Sequence, residues 1–288
     1  MIKNRAFLKW AGGKYHLIDA IRRHLPDGDL LIEPFIGAGS VFLNTDYPRY
    51  LLTDINADLI YLYQLLKDNP ERFIDDAKHL FSTETNDADC YYQLRQEFNL
   101  SQDPYHRSLL FLYLNRHGYN GLCRYNKSGG FNVPFGRYKK PYFPASELEY
   151  FAQKAKQAEF VCCSYEQTFD RVQTGDVVYC DPPYAPLTAT ASFTSYTSGG
   201  FNEGQQLHLA QLAELVSHQR GATVLISNHE IAFTRKIYSA AQLSSLKVRR
   251  TISRKGQKRV KVDELLALYP AQPRTDSVAY LVESAKLR

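Results

Sequence analysis

The sequence predicts an α/β protein in which a doubly wound sheet is interrupted by an inserted, mainly helical domain. Two apolar runs indicate the sheet: residues 177–180 are suited to burial on both faces, and residues 30–32 lead into a glycine turn. A change in composition indicates the insertion, because residues 104–146 contain no carboxylate. We assign residues 1–55 and 145–270 to the sheet domain, 56–144 to the insertion and 271–288 to a tail of unknown role.

Length and composition allow one large α/β core and exclude several classes of protein. The chain has 288 residues, of which 44% are hydrophobic and 23% are charged. No apolar run has the length of a secretory leader or a membrane span, so we expect a cytoplasmic protein. The five cysteines lack CxxC and zinc-site spacing, which predicts reduced, mostly buried thiols and no metal.

The first segment, FLKWAGGKYHLID, contains a glycine pair before a lysine. A nucleotide-binding P-loop is disfavoured, since the spacing is wrong and Tyr15 stands where a magnesium-binding Ser or Thr belongs. Alone, the segment indicates a loop that begins a helix. Beside the glycine turn that follows, it also predicts a pocket wall, with Trp10 contributing packing and Lys14 contributing charge.

The second segment, IEPFIGAGSVF, reads as the end of a strand, a turn at Gly37 and Gly39, and a helix beginning at Ser40. A dinucleotide fold would need a third glycine where this chain has Phe42, so a pyrophosphate ligand is disfavoured. The next predicted strand ends at Asp54, a carboxylate placed to bind ribose hydroxyls.

The insertion combines positive charge with aromatic side chains, a composition typical of nucleic-acid binding. Residues 104–146 carry seven Lys and Arg residues among tyrosines and phenylalanines. Within HGYNGLCRYN, we predict a loop that presents Tyr119 and Asn120 as a wedge and Arg124 as a guanine reader. Lys139 and Lys140 are expected to contact phosphates, whereas Phe111, Tyr113 and Leu114, at helix-like spacing, predict a small aromatic core.

The segment VVYCDPPYAP ends a buried strand at a carboxylate, two prolines and a tyrosine. Prolines there also stop a sheet, which is a purely structural explanation. However, the Asp181 carboxylate and the Pro182 carbonyl could each accept one N–H of an adenine amine, directing its lone pair at an electrophile. Tyr184 would stack on the base. This quartet is typical of amino-methyltransferases that use S-adenosylmethionine (AdoMet), and an adenine in duplex DNA would have to flip out to reach it.

The remaining segments support this arrangement. Residues 185–202 have the composition of a lid or of an inert loop, residues 204–219 predict an amphipathic helix, and residues 222–230 predict a strand with His229 as a structural residue. Residues 247–261 carry eight Lys and Arg residues without an acid, which predicts a hairpin turning at residues 255–256 that faces nucleic acid or protects a sheet edge.

Eight segments occur in the order and spacing of one known family: FLKWAGGK, IEPFIGAGSVF, LTDIN, LNRHGYNGLCRYN, FNVPFGRYKKPYF, VVYCDPPYAP, LISNH and KVDELLALY. From residue 4 to residue 269 the chain therefore resembles the Dam family of DNA adenine-N6 methyltransferases. The resemblance implies AdoMet as methyl donor and duplex DNA containing GATC as substrate. We also expect a monomer that works in the cytoplasm. His117 departs from the family, where a tyrosine is expected, and the tail matches nothing in it.

The residues and the resemblance together give three sets of expected site residues. The catalytic set is Asp181, Pro182, Pro183 and Tyr184. The cofactor set is Trp10, Lys14, Glu33, Phe35, Gly37, Gly39, Ser40, Asp54 and Asp181. The DNA-binding set is Lys9, Arg95, Arg116, Tyr119, Asn120, Leu122, Arg124, Asn126, Pro134, Arg137, Tyr138, Lys139 and Lys140.

Two alternatives remain open from the sequence. A methyltransferase acting on RNA or on a glutamine side chain would share the DPPY segment, although the acid-free insertion argues against glutamine. A catalytically silent DNA-binding module is the other alternative, and the intact Asp181, Gly37 and Asp54 argue against it.

Overall fold

A computed structural model describes residues 3–185, 201–247 and 263–272. Within these ranges the strands are β1 (Leu30–Glu33), β2 (Arg49–Asp54), β3 (Ala158–Cys162), β4 (Val177–Cys180), β5 (Thr223–His229), β6 (Gln242–Leu246) and β7 (Glu264–Tyr269). The helices are α1 (Ile18–His24), α2 (Ala57–Asp68), α3 (Pro70–His79), α4 (Ala88–Leu100), α5 (Pro104–His117), α6 (Ala145–Ala155), α7 (Tyr165–Asp170), α8 (Glu203–Gln219) and α9 (Ala232–Ile237). The predicted fold class, α/β with a mainly helical insertion, is confirmed.

The described strands form one sheet in the order β3-β2-β1-β4-β5-β7-β6. Strands β1 to β5 run parallel to one another, while β7 lies between β5 and β6 and is antiparallel to both. The chain leaves β1 toward β2 on one side and later returns to β4 on the other. This reversal of strand order is the switch point at which open α/β sheets bind ligands, beyond the carboxyl ends of the strands.

Alternating side chains explain why these apolar runs form a sheet covered on both faces. Leu31, Val177 and Tyr179 enter one hydrophobic cluster, whereas Ile32 and Val178 enter a second cluster that also contains α7 and α8. Burying each such aliphatic side chain contributes about 1.5–3 kcal/mol. The two clusters therefore fix the sheet, and with it the positions at which β1, β2 and β4 end.

The insertion lies between β2 and β3 and includes the helices α2 to α5. Its core helix α5 is buried along most of its length, including the predicted aromatic residues Phe111, Tyr113 and Leu114. Helix α2 also packs on the sheet domain, since Gln64 Nε2 and Lys67 Nζ donate to backbone carbonyls of β3. The boundary at residue 56 thus remains a prediction, because the first inserted helix contacts both parts.

Three details differ from the sequence predictions or lie outside the described residues. The helix predicted to begin at Ser40 is wrong: only a 3-10 turn, Phe42–Asn44, fits before β2 begins at Arg49. Among the cysteines, which are all free thiols, only Cys180 is fully buried and Cys162 is exposed. Most of the predicted lid and the second basic stretch fall in residues 186–200 and 248–262, outside the described ranges.

The predicted helix and strand after the lid segment are confirmed as α8 and β5. Across the described ranges, every helix is too short or too polar to traverse a lipid bilayer.

Candidate active site

The centre of the site is Asp181, which directly follows β4 at the carboxyl edge of the sheet. Its Oδ1 accepts from Lys14 Nζ at 2.7 Å and from Ser227 Oγ at 3.3 Å. Burial raises the pKa of the Asp181 carboxyl, and the neighbouring Lys14 ammonium opposes that rise. Lys14 is itself 4% exposed, and its Nζ also donates to Gly12 O at 2.7 Å. The structure thus places Lys14 on the predicted catalytic carboxylate.

Tyr184 is held beside this ion pair by contacts on its hydroxyl and on its ring. Its hydroxyl donates to Glu264 Oε1, and its ring meets His229 edge-on at a centroid distance of 4.7 Å. Lys14 Nζ lies 4.5 Å from the ring centroid. Burial raises the pKa of Glu264 to about 7, Lys14 opposes the rise and Asp181 adds to it. Glu264 is therefore a titratable group at the aromatic wall of the site.

The two prolines are fixed by side chains from α8 and β5. Gln206 Nε2 donates to Pro183 O at 2.7 Å, and Asn228 Oδ1 accepts from Ala185 N at 3.2 Å. Asn228 in turn donates to Gln206 Oε1 at 2.9 Å. Because these amides are buried and mutually bonded, the backbone around Pro182 has one defined course.

The glycine turn lies next to this site, at the ends of β1 and β2. Gly37 has a φ of 48°, its N–H donates to Asp54 Oδ2 at 3.2 Å, and its carbonyl accepts from the Tyr63 hydroxyl at 2.6 Å. A Cβ at Gly37 would come within 2.8 Å of Trp10 Nε1. Only glycine satisfies both the left-handed backbone and the close indole. Trp10, Gly37 and Asp54 are thus brought together as predicted walls of one cradle.

Glu33 is buried at the end of β1, and its Oε1 has no hydrogen-bond partner within the described part of the chain. Burial, reinforced by Asp181, raises the pKa of Glu33 well above its usual value. A buried acceptor without a partner normally indicates a missing donor. The cradle therefore fits a ligand that brings a cation or N–H group, as the amino-acid part of AdoMet would.

Phe35 and Ser40 flank the same turn. Phe35 stacks on Tyr165 and meets Phe201 edge-on, each at a centroid distance of 5.6 Å. Ser40 lies near the first segment, since its Oγ is 4.0 Å from the position that a Cβ on Gly13 would take. The residues that flank the glycine turn therefore contact aromatic rings at Phe35 and the first segment at Ser40.

Arg124 lies in an irregular hairpin after α5, which two isolated bridges close: Gly118 with Phe135, and Tyr125 with Phe131. Its Nε donates to Asn132 Oδ1 at 2.8 Å and its Nη2 to Asn132 O at 3.1 Å. These bonds orient one edge of an exposed guanidinium. Among the described residues, Nη1 makes no hydrogen bond, so the other edge keeps donors for a ligand.

Asn120, Tyr138 and Lys9 form a second group at the base of this hairpin. Asn120 has a φ of 54°, and its N–H donates to the Tyr138 hydroxyl at 2.9 Å. Lys9 Nζ lies 3.8 Å from the centroid of the Tyr138 ring. Burial lowers the pKa of Lys9 to about 8, and the nearby Arg116 adds to this effect. A non-glycine residue at positive φ is uncommon and is typical of functional loops.

The other predicted DNA-binding residues fall into two groups. Tyr119, Pro134, Arg137, Lys139 and Lys140 are exposed on the hairpin and the segment after it. The rest are engaged within the protein: Arg95 and Arg116 donate to backbone carbonyls, the Asn126 side chain caps the turn at 128–130, and Leu122 packs on the core. The first group is accessible to a phosphate backbone, while the second supports the hairpin.

Four residues that hydrogen-bond to the segment 181–185 were not predicted: Gln206, Ser227, Asn228 and Glu264. Two signals in the sequence could have indicated them. Polar residues end the apolar strand β5, and a carboxylate opens the apolar strand β7. Neither signal could be interpreted without knowing that β7 pairs with β5, which places Glu264 opposite His229.

Comparison with known proteins extends the similarity beyond the site. Residues 10–252 match the family described as D12 class N6 adenine-specific DNA methyltransferase. A protein of Vibrio cholerae named DNA adenine methylase is 60% identical over 269 residues, covering 93% of this chain and 97% of that protein. Proteins of the same name from Salmonella typhi and Escherichia coli are each 61% identical, covering 93% of this chain and 96% of their own length.

Proposed function

Since this chain belongs to the D12 class of N6 adenine-specific DNA methyltransferases, we propose that it transfers a methyl group from AdoMet to the N6 amine of an adenine flipped out of duplex DNA, within the sequence GATC. The observation that carries this proposal is the position of Asp181 and Tyr184 beside the glycine turn. A carboxylate acceptor and an aromatic face lie near a glycine turn at the switch point of the sheet, where a cofactor would bind.

The cradle residues would hold AdoMet. Gly37 and Gly39, both at positive φ, would allow the backbone to approach it, Asp54 would accept from its hydroxyls, and Glu33 would pair with its amino-acid part. Trp10 closes one side by its contact with Gly37. When bound, AdoMet supplies a methyl group already activated by a positively charged sulfur, so the protein need not polarise the leaving group.

Asp181 and the Pro182 carbonyl would each accept one N–H of the target amine. This pairing draws the lone pair out of conjugation with the adenine ring and directs it at the methyl carbon. In the transfer the new N–C bond forms as the S–C bond breaks, and the amine then gives a proton to Asp181 or water. Within the described residues, Lys14 is the nearer of the two donors to Asp181 Oδ1, the other being Ser227, and the target amine would take the place of its Nζ.

An adenine stacked inside duplex DNA cannot reach Asp181, so the base must flip, at a cost of a few kcal/mol that stacking on Tyr184 would partly offset. Tyr119 and Asn120 are exposed at the hairpin and would fill the gap that the flipped base leaves in the DNA duplex. The open edge of Arg124 is suited to the O6 and N7 acceptors of guanine. Lys139 and Lys140 would contact phosphates.

We further propose that the protein works as a monomer in the cytoplasm, bound to DNA. The test is transfer of labelled methyl from AdoMet to matched duplexes that carry GATC or a variant with one base pair replaced. Label should appear only on the adenine of intact GATC. Equal incorporation into all duplexes, or incorporation into RNA but not DNA, would refute the assigned substrate.

A further inference from the structure

We propose that Glu264 is a positioning residue for the methyl transfer: its carboxylate holds the Tyr184 hydroxyl, and it receives the Lys14 ammonium when the target amine occupies Asp181. This inference rests on the proposed function, since a second acceptor for Lys14 is needed only if an amine enters at Asp181.

Strand pairing brings Glu264 to the site. It is the first residue of β7, which pairs antiparallel with β5, and it is 2% exposed. Its Oε1 accepts from the Tyr184 hydroxyl and lies 3.9 Å from Lys14 Nζ. One carboxylate oxygen therefore faces both the stacking residue and the ammonium that occupies Asp181.

Burying a carboxylate at this position costs free energy of folding. Glu264 opens the apolar strand ELLALY, and a buried charge is tolerated only when it is paired. A glutamine would accept the same hydrogen bond from Tyr184 without the cost of burying a charge. Holding Tyr184 is thus insufficient to explain the carboxylate, whereas neutralising the buried charge of the Lys14 ammonium requires one.

The distances make an exchange of partners possible with little movement. Lys14 Nζ lies 2.7 Å from Asp181 Oδ1 and 3.9 Å from Glu264 Oε1. A displacement of about 1 Å brings the ammonium to hydrogen-bond distance of Glu264. The ammonium would stay paired while Asp181 is released for the amine, so no buried charge would be left without a partner during the reaction.

The charged and titratable groups that face Glu264 within the described residues are Lys14, Asp181, Tyr184, Tyr179 and His229. Burial first, and then the charge of Asp181, raise the pKa of Glu264 to about 7, while Lys14 opposes the rise. Because only the ionised carboxylate neutralises the charge of the ammonium, the rate should increase with pH through this range.

The test measures single-turnover methyl transfer to a GATC duplex and AdoMet affinity for five variants and the wild-type protein. Glu264→Gln keeps an acceptor for the Tyr184 hydroxyl but cannot carry charge, and Glu264→Ala removes both roles. Tyr184→Phe removes only the hydroxyl, and Tyr184→Phe/Glu264→Ala completes a double-mutant cycle. Glu230→Gln is the matched control, since Glu230 follows β5 at the same edge but pairs with Arg235 and Ser245.

Glu264→Ala is expected to lower the rate roughly 10- to 100-fold while AdoMet affinity stays unchanged. In the Glu264→Ala background, Tyr184→Phe should add almost no further loss, because the hydroxyl has lost its partner. Glu264→Gln should lack the increase in rate near neutral pH, whereas Glu230→Gln should retain the wild-type rate and profile.

Two results would overturn the inference. One is a wild-type rate and pH profile in Glu264→Gln. The other is a double variant whose fold-loss in rate equals the product of the fold-losses of Tyr184→Phe and Glu264→Ala. Weak AdoMet binding and a lowered Tm would reveal that Glu264→Ala fails to fold. In that case the rates and pH profiles of Glu264→Gln and Tyr184→Phe still test the inference. If the wild-type protein methylated no GATC duplex, the proposed function itself would be overturned. That result is distinguishable from the two above, because those are measured in variants of an active protein.

Discussion

A decrease in pH should destabilise this protein through His117, the last residue of α5 before the hairpin that carries Arg124. Its ring stacks on Tyr113 at a centroid distance of 4.0 Å, and its Nδ1–H donates to Tyr113 O at 3.0 Å. Within the described residues, its Nε2 has no partner. Burial lowers the pKa of His117 to about 4, and the charges of Lys9 and Arg116 contribute to this effect.

The magnitude follows from the difference between the two states. An unfolded histidine has a pKa of about 6.5. As the pH falls below that value, His117 binds a proton in the unfolded chain but not in the folded chain. Stability is therefore lost progressively until the pH reaches the pKa of the folded state. Between pH 7 and pH 5, this linkage costs about 2 kcal/mol, a sizeable part of the roughly 5–15 kcal/mol that stabilises a typical domain.

The assay is urea unfolding at pH 7 and pH 5 for the wild type, His117→Phe and His24→Phe. His117→Phe keeps an aromatic ring without a titrating nitrogen, so its loss of stability over this interval should be smaller by about 2 kcal/mol. His24 is the control, because its Nδ1 makes the same contact to a carbonyl four residues earlier, Ala20 O at 2.8 Å, at a partly exposed helix end. An unchanged pH dependence in His117→Phe would refute the reasoning.

The remaining predictions concern the site. Asp181→Asn, which still offers an oxygen to Lys14, should lower turnover by roughly 100-fold or more while AdoMet and DNA affinities stay near wild type; measurable turnover near the wild-type rate would contradict this. Asp54→Ala should weaken AdoMet binding about 10-fold by calorimetry, and unchanged affinity would remove Asp54 from the cradle. Arg124→Ala should relax discrimination at one position of GATC by about 1–3 kcal/mol, measured as methylation of single-base variants. Replacing both Lys139 and Lys140 by Ala should weaken binding to all duplexes alike. It should also reduce the slope of log K against log salt concentration by roughly one unit per lysine. If Arg124→Ala instead lost affinity equally for all duplexes, Arg124 would be a phosphate contact.

The parts of the fold that could be predicted are those that depend on local sequence. Residues 177–180 have no polar alternative to a buried strand, and the prolines after Asp181 allow neither strand nor helix to continue. The turn at Gly37 needs a left-handed backbone, which glycine supplies at the lowest cost. Each of these features is decided within a few residues, so sequence alone places the ends of β1 and β4.

The parts that could not be predicted depend on contacts between distant segments. The apolar residues after Ser40 suit a helix, but β2 begins at Arg49, so only one turn has room to form. Lys14 precedes Asp181 by most of the chain, and nothing in either segment indicates their ion pair. Glu264 joins them only because β7 pairs with β5 rather than extending the parallel order of the sheet.

The hairpin that carries Arg124 is hydrogen-bonded to the N-terminal segment and to the loop after β2, so the proposed DNA-reading residues and the proposed cofactor residues are held by the same part of the structure. Asn115, at the end of α5, exchanges two hydrogen bonds with the backbone of Lys9, a residue close to Trp10 and Lys14.

On the opposite side, Asn56 Nδ2 donates to Cys123 Sγ at 3.5 Å, next to Arg124, and the backbone of Asn56 donates to Asp54 Oδ1 at 3.0 Å. Asp58, at the start of α2, receives two guanidinium bonds from Arg107 and a hydroxyl bond from Tyr125 of the hairpin. These groups are partly buried, so the bonds are screened less than surface pairs and hold the hairpin at a fixed distance from the cofactor cradle. In the proposed complex, a guanine bound by Arg124 would therefore set the register in which the target adenine reaches Asp181.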